Sequence, residues 1–178
     1  MNPQVPGGIR GKWDYPPCKF TYIDKTGRLI TQARFDYARD FSEGLAPVRI
    51  GTSWGFIDKT GAVVIEPKFE DAEPFSSGLS RIRERDLYGY AGKSGSIKII
   101  PRYEYAENFS EGFAVVSHSA DRYFYIDTNG KRAIPGEFDA ASPFFKGFAQ
   151  VRLLPGDAEE VRAEFAYFDT KGRRVFTF

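Results

Sequence analysis

Short apolar runs along this chain alternate with polar, glycine-ended turns, and the pattern is clearest between Trp54 and Arg83. Trp54-Gly55-Phe56-Ile57 leads into Asp58-Lys59-Thr60-Gly61 and then Ala62-Val63-Val64-Ile65. Two apolar, β-branched runs joined through a turn ending in glycine predict a β-hairpin, with the glycine in the left-handed position and the aspartate bonding the turn's amides. Pro67 cannot donate to a ladder and is expected to stop the second strand. Phe69, Ala72 and Phe75 follow at intervals of three, which predicts a single tight helical turn or a wound loop rather than a strand. A third strand follows at Leu79-Ser80-Arg81-Ile82-Arg83, where apolar positions alternate.

This unit recurs. Glycines that end the turns stand at 27, 61, 95, 130 and 172, in steps of 34, 34, 35 and 42. A second series in a Phe-x-x-Gly setting stands at 44, 78, 112 and 147, in steps of 34, 34 and 35. A fixed period in this range marks a solenoid, propeller or array. Every first strand carries aromatic–x–aromatic: Phe20/Tyr22, Trp54/Phe56, Tyr88/Tyr90, Tyr123/Tyr125 and Phe165/Tyr167. Residues two apart share one face of a strand, so these rings are expected to form columns from repeat to repeat. The predicted strands are 20–24, 28–31, 45–50, 54–58, 62–65, 79–83, 88–91, 97–100, 113–117, 123–127, 131–134, 148–153, 165–169 and 173–177. The third strand runs through a brief turn into the next repeat's first strand, so the sheets should be mostly antiparallel.

Trp54-Gly55-Phe56-Ile57-Asp58 with Lys59-Thr60-Gly61, and Ile65-Glu66-Pro67-Lys68-Phe69 onward, resemble the frame of the WG (KWG) repeat family, bacterial tandem β-repeat proteins. The resemblance covers about residues 20–176, although only one repeat keeps the literal Trp-Gly pair and Ala91-Gly92 replaces Ile-Asp in the third. It implies a repeat fold and a binding or scaffolding role, with no assigned chemistry. The array divides into an N-terminal cap, 1–19, and repeats at about 20–53, 54–87, 88–122 and 123–164, with a half repeat at 165–178.

Composition narrows the function classes. The chain has 178 residues with 17 Phe and 10 Tyr, so a thin β structure can still bury much area. A net charge of +1 makes no electrostatic case for nucleic acid or an anionic membrane surface. No apolar run approaches bilayer-spanning length, and the N-terminus has no signal-peptide core. One cysteine excludes an internal disulfide framework. These features predict a cytoplasmic protein.

Candidate chemistry is thin. His118 lies within Ser117-His118-Ser119-Ala120-Asp121, but neighbours on a short loop do not converge as a catalytic triad, and no spaced His or Cys offers it a metal partner. Cys18 precedes Lys19, which favours a thiolate, yet no histidine is near in sequence to act as base. Asp24, Asp58, Asp127 and Asp169 stand three residues before a turn glycine and read as turn caps. No glycine-rich strand-to-helix loop suggests a phosphate site, and no cofactor is expected. Arg49, Arg83 and Arg152 share one repeat position, filled by Ser117 in the third repeat, with Arg81 nearby. This arginine row is the candidate partner-binding site, set against a solvated row paired with its own acids. An insertion, Leu153–Val161, breaks the period before the last hairpin, as binding-face loops in repeat arrays often do.

The expected architecture is therefore all-β: a tandem repeat of antiparallel three-stranded units in a solenoid-like stack, with a small closed β-propeller as the alternative. Trp13-Asp14-Tyr15 and Val175–Phe178 are expected to cap the ends. The expected function is a non-enzymatic protein-interaction module, a regulator or inhibitor of a bacterial protein, with no nucleic-acid or membrane partner. Carbohydrate or cell-wall polymer binding through stacked aromatics is the alternative.

Overall fold

The computed structural model describes residues 19–119, 122–153 and 164–177. The cap expected at 1–19, except Lys19, lies outside them, as do Cys18, residues 154–161 of the insertion, and Phe178. All regular elements among the described residues are strands, and no helix is long and apolar enough to cross a membrane.

Strands β1 (Tyr37–Ala38), β2 (Leu45–Ile50), β3 (Ser53–Asp58) and β4 (Val63–Phe69) form one antiparallel sheet in chain order. Strands β5 (Asp71–Ala72), β6 (Leu79–Glu84), β7 (Leu87–Gly92) and β8 (Ile97–Tyr103) repeat it. A seven-stranded sheet completes the array: β9 (Tyr105–Ala106), β10 (Phe113–Ser117), β11 (Tyr123–Asp127), β12 (Phe138–Ala141), β13 (Phe148–Leu153), β14 (Phe165–Asp169) and β15 (Arg174–Thr177). Each sheet straddles a repeat boundary, because the third strand of one repeat pairs with the first strand of the next, as in Arg49↔Trp54 and Arg83↔Tyr88. Neighbouring repeats are thereby interlocked by main-chain bonds as well as by side-chain packing.

Three expectations need correction. The Phe-x-x-Ala-x-x-Phe segment is not a helical turn; its Ala and the residue before it form the short extra strand β1, β5 or β9, so each full unit has four strands rather than three. The free edge of the third strand carries amides and carbonyls that need partners, and this segment supplies them, as in Glu70 N to Arg83 O and Glu73 N to Arg81 O. Second, Pro67 does not end its strand. Pairs Trp54↔Phe69 and Phe56↔Ile65 leave Glu66-Pro67-Lys68 bulged against Gly55, where the proline's missing N–H is not called on. Third, the strands predicted at 20–24, 28–31 and 131–134 are reduced to single bridges, Ile23↔Leu29, Phe20↔Phe35 and Ile126↔Arg132.

The second and third corrections share a cause. A Cβ on Gly55 would lie 2.4 Å from the Ile65 carbonyl oxygen and 2.7 Å from the Pro67 nitrogen. At Gly89 the corresponding distances, to the Ile99 oxygen and Pro101 nitrogen, are 2.5 and 2.6 Å. The glycine is what lets the bulged outer strand lie against the inner one. Where Thr21 or Phe124 stands instead, the bulged outer strand is not built, whereas opposite Ala166 the outer strand β15 forms with a direct Ala166↔Thr177 pair.

The core runs through the inner aromatic column. Tyr22, Phe56, Tyr90 and Tyr125 each meet a Phe of their own repeat, with ring centroids 4.8, 5.0, 4.7 and 5.3 Å from Phe41, Phe75, Phe109 and Phe144. Phe75, Phe109 and Phe144 are buried. Phe41, expected to match them, is only half-buried, because no preceding repeat among the described residues packs on it. The tyrosine hydroxyls donate to carbonyls of Arg39, Glu107 and Ser142, each at 2.7 Å. Burial, and next the charge of Asp40, pushes the Tyr22 phenol up to about 12.

Phe56 has no hydroxyl, and the equivalent carbonyl, that of Glu73, is instead served by the buried Ser80 Oγ at 2.6 Å. The other repeats carry alanine at that position (Ala46, Ala114, Ala149). Ser80→Ala should therefore destabilise the protein by about 1–2 kcal/mol, and adding Phe56→Tyr should restore most of the loss. Urea denaturation of the single and double variants checks this; an undiminished double variant alongside an unaffected Ser80→Ala would refute the exchange.

Candidate partner-binding row

Arg49 pairs across β2 with Tyr37 of β1 and Trp54 of β3. The same register places Arg83 between Asp71 and Tyr88, Ser117 between Tyr105 and Tyr123, and Arg152 between Ala140 and Phe165. Directly opposed residues share a sheet face, so each arginine stands at the equivalent place of its own sheet, with an aromatic residue opposite it. The Arg49 guanidinium lies 5.7 Å from the Tyr37 ring, and Tyr37 meets Trp54 edge-on at 5.7 Å. Tyr105 meets Tyr123 the same way at 5.3 Å.

Each arginine of the row also meets an acid from the residue just after its repeat's Phe. Arg83 Nε is 3.7 Å from Glu70, and its Nη1 is 3.9 Å from Asp86. Arg152 pairs with Asp139. Asp36 is held below the usual carboxylate range first by Lys19, then by the Gly51 amide, with Arg49 adding to the field. Half-exposed pairs of this kind contribute little to stability and remain open to exchange. The Arg83 and Arg152 side chains are 38% and 42% exposed, which leaves them accessible to a partner. The Nε atoms of Arg49 and Arg83 are buried without a hydrogen-bond acceptor.

Arg81 is placed differently. Its side chain is 19% exposed, lies 5.1 Å from the Tyr88 ring, bonds Glu73 at 3.1 Å and donates to the Ala106 carbonyl of the following unit. Glu73 in turn holds Arg39 at 3.0 Å, and Arg39 donates to the Ala72 carbonyl and lies 4.3 Å from the Trp54 ring. Arg39–Glu73–Arg81 thus ties successive units together. Sequence reasoning missed Arg39; the available signal was a cation where the other repeats have Glu73, Glu107 and Ser142.

The other candidates are occupied locally. Ser117 Oγ donates to the Arg122 carbonyl at 2.8 Å and accepts from the Ser119 amide at 3.1 Å, closing its own loop. His118 stacks 4.9 Å from Tyr103 and 5.5 Å from Phe124, with Nδ1 3.2 Å from the Arg102 carbonyl. Asp24, Asp58, Asp127 and Asp169 each accept from the amides two and four residues on. The Thr26 and Thr60 hydroxyls, before the amides, hold Asp24 and Asp58 below the usual carboxylate range. At the Ala91-Gly92 turn the main-chain bonds persist, Gly92 N to Ser96 O at 2.9 Å and Gly95 N to Gly92 O at 2.8 Å; only the side-chain acceptor is missing. Among the described residues no cluster of three or more His, Cys, Asp or Glu is placed to hold a metal ion.

None of the curated proteins matches the chain significantly. Among solved structures, it superposes on the Kluyveromyces lactis protein KlHsv2, with loop 6CD replaced by a Gly-Ser linker, at a TM-score of 0.56 and 12% identity, covering 90% of this chain and 60% of that one. The computationally designed Ika8 protein gives a TM-score of 0.49 at 12% identity, covering 86% of this chain and 53% of that one. The chain thus spans 53% to 60% of the length of these two structures, and the KlHsv2 likeness is one of fold, a propeller- or repeat-like series of antiparallel sheets. The model of the WG containing repeat matches residues 20–51, 54–88, 88–118 and 123–153. Four tandem matches spanning well over half its length, on the frame of turns and aromatic columns described above, make this chain a member of the WG-repeat family.

Proposed function

We propose that this protein is a non-enzymatic protein-interaction module whose contact surface is the row of arginines and aromatics, and that it regulates or inhibits a bacterial protein. The observation that carries the reading is the common register of Arg49, Arg83 and Arg152 beside half-exposed or exposed rings, Tyr37, Tyr88 and Phe165. Arginine and tyrosine are the residues most enriched among binding hot spots, and a position repeated from sheet to sheet suits an extended contact. An acidic protein partner would compete for the arginines with Glu70, Asp86 and Asp139, which hold them only at the surface. Non-enzymatic action is supported by Ser117, His118 and the turn aspartates being engaged in local structure. The reading places the protein in the cytoplasm, in keeping with its single cysteine. Carbohydrate binding is the weaker alternative, because the inner rings Phe56, Tyr90 and Tyr125 are fully buried and offer no face to a sugar.

The test is a titration of Arg49→Glu and Arg83→Glu proteins against a partner recovered by pull-down, at low and moderate salt. Each reversal should weaken binding about tenfold, chiefly through slower association, and flatten its salt dependence. Unchanged affinity in both variants would return the row to a solvated set of internal ion pairs.

A further inference from the structure

Of the asparagines in the chain, Asn2, Asn108 and Asn129, only Asn129 precedes a glycine. It is exposed, in the turn Asp127-Thr128-Asn129-Gly130, at the place held by Thr26 and Thr60 in the first two repeats. Those threonine hydroxyls donate to Asp24 and Asp58 at 2.7 and 2.6 Å, whereas Asn129 Nδ2 reaches Asp127 at only 3.4 Å. The hairpin behind this turn is also weakly paired. The turns at 58–61 and 92–95 open into β4 and β8, strands of 7 residues each. Here the second arm is tied by the Ile126↔Arg132 bridge and by Ala133 N to Tyr125 O at 2.8 Å. Few main-chain bonds on one arm put such a segment at the low end of local opening free energies.

An exposed asparagine before glycine carries both partners of a ring closure. The Gly130 amide nitrogen, once it has lost its proton to hydroxide, can add to the Asn129 side-chain carbonyl carbon, and with no Cβ at 130 nothing crowds the approach. The Cγ–Nδ2 bond then breaks, ammonia leaves with a proton supplied by water, and a cyclic imide remains. Water opens the imide at Cγ to give aspartate, or at the main-chain carbonyl to give isoaspartate, in which the chain runs through the side chain and is longer by a methylene. The net change is amide plus water to acid plus ammonia, so the step needs no other reactant. In the closed turn Asp127 keeps the reacting groups from each other: Gly130 N donates to its carbonyl at 2.9 Å, and Asn129 Nδ2 to its carboxylate. Ring closure therefore proceeds from an opened turn.

We propose that Asn129 is a self-modification site, which opening of the 127–130 turn converts to aspartate and isoaspartate, and that the conversion loosens the joint between the third and fourth repeats. The turn is part of that joint. Gly130 is left-handed, with φ 77°, and a Cβ there would lie 3.2 Å from Cγ1 of the buried Ile99. A main chain lengthened at 129 cannot keep Gly130 on Ile99 while Asp127 still accepts from the amides of Asn129 and Lys131, both at 2.9 Å. The new carboxylate also stands beside that of Asp127, and like charges at short range repel. The modification involves none of the row arginines and needs no partner. It sets a chemical lifetime for the intact array, shorter in alkaline surroundings because the attacking nitrogen must first lose its proton.

The test is incubation of the full chain in mildly alkaline buffer, folded and unfolded in guanidinium chloride, read by peptide mass spectrometry and by isoaspartyl methyltransferase labelling. In the folded chain Asn129 should turn to acid with release of ammonia, faster in proportion to hydroxide. Its rate should lie no more than about a hundredfold below that of the unfolded chain, the retardation of a locally opening turn. Asn108, whose Oδ1 is buried and which precedes Phe109, should stay intact in the folded chain. Asn129→Thr should unfold no earlier than the parent and release no ammonia from the turn. The isoaspartate form, separated by chromatography, should unfold at lower denaturant than the parent, with hydrogen exchange at the amides of 129 and 131 about tenfold faster. An Asn129 that reacts in the folded chain only as fast as global unfolding allows, ammonia release undiminished in Asn129→Thr, or an isoaspartate form as stable as the parent would overturn the inference.

Discussion

Phe75→Ala is expected to cost the fold about 3–5 kcal/mol, the usual range for emptying a phenylalanine site in a packed interior. Phe75 is 1% exposed, its ring lies 5.0 Å from Phe56, and it shares a cluster with Leu45, Trp54, Phe69, Ala72 and Ile82. These residues come from consecutive repeats, so the cavity opens at a joint and not within one hairpin. In an array whose stability is largely a sum of such joints, damage to one lowers the cooperativity of the whole. Phe41→Ala, at the half-buried start of the same column, should cost less than half as much. Equilibrium urea denaturation followed by tyrosine and tryptophan fluorescence gives both values. A Phe75→Ala protein within about 0.5 kcal/mol of the parent would show that the column is not core.

Gly55→Ala should be nearly as damaging, at about 3 kcal/mol, the upper end of ordinary overpacking. The new methyl would meet main-chain atoms of the bulge, the Ile65 oxygen at 2.4 Å and the Pro67 nitrogen at 2.7 Å, which cannot rotate away as a side chain would. The expected response is release of β4 from β3, and Gly89→Ala should likewise release β8 from β7. Gly92→Ala is the control: its methyl would meet only the flexible Lys98 side chain, at 3.0 Å, and should shift stability by no more than about 0.5 kcal/mol. Hydrogen exchange localised to 63–69 in the Gly55→Ala protein distinguishes strand release from global weakening, and full protection there would contradict the steric account.

The glycine result bears on how the repeats diverge. Where the fourth repeat carries Phe124 in place of this glycine, Gly136 stands at the position of Pro67 and Pro101, and the outer strand is replaced by the Ile126↔Arg132 bridge. A large residue on the inner strand is thus accompanied by a small, freely bending one on the outer. Ser80 and Phe56 show the same reciprocity in hydrogen bonding. One residue supplies the hydroxyl that the other lacks, and the Glu73 carbonyl is served either way.

Periodicity was sufficient to determine the all-β class, the tandem repeat frame, the turn glycines and the inner aromatic column. Each of these follows from local chemistry: a left-handed turn selects glycine, a half-buried strand alternates, and rings two apart share a face. The position shared by Arg49, Arg83 and Arg152 was equally legible, because a fixed spacing in a regular array becomes a fixed register. Four features were decided only in three dimensions. Spacing by threes in Phe69-x-x-Ala72-x-x-Phe75 favours a turn locally, but the unpaired edge of the preceding sheet's third strand recruits the segment as β5. Pro67 breaks a ladder in isolation, yet a bulge opposite a glycine asks nothing of its nitrogen. Arg81 reads as one more exposed cation until Glu73 and the Ala106 carbonyl, from other turns of the array, are brought to it. Nor does the sequence show that Phe148 and Phe176 are exposed where the equivalent Leu45, Leu79, Ile65, Ile99 and Ile134 are buried, since burial depends on what packs over each position in the fold. In each case the local residue preferences are real, and the outcome is set by main-chain groups and surfaces that become neighbours only once the repeats are stacked.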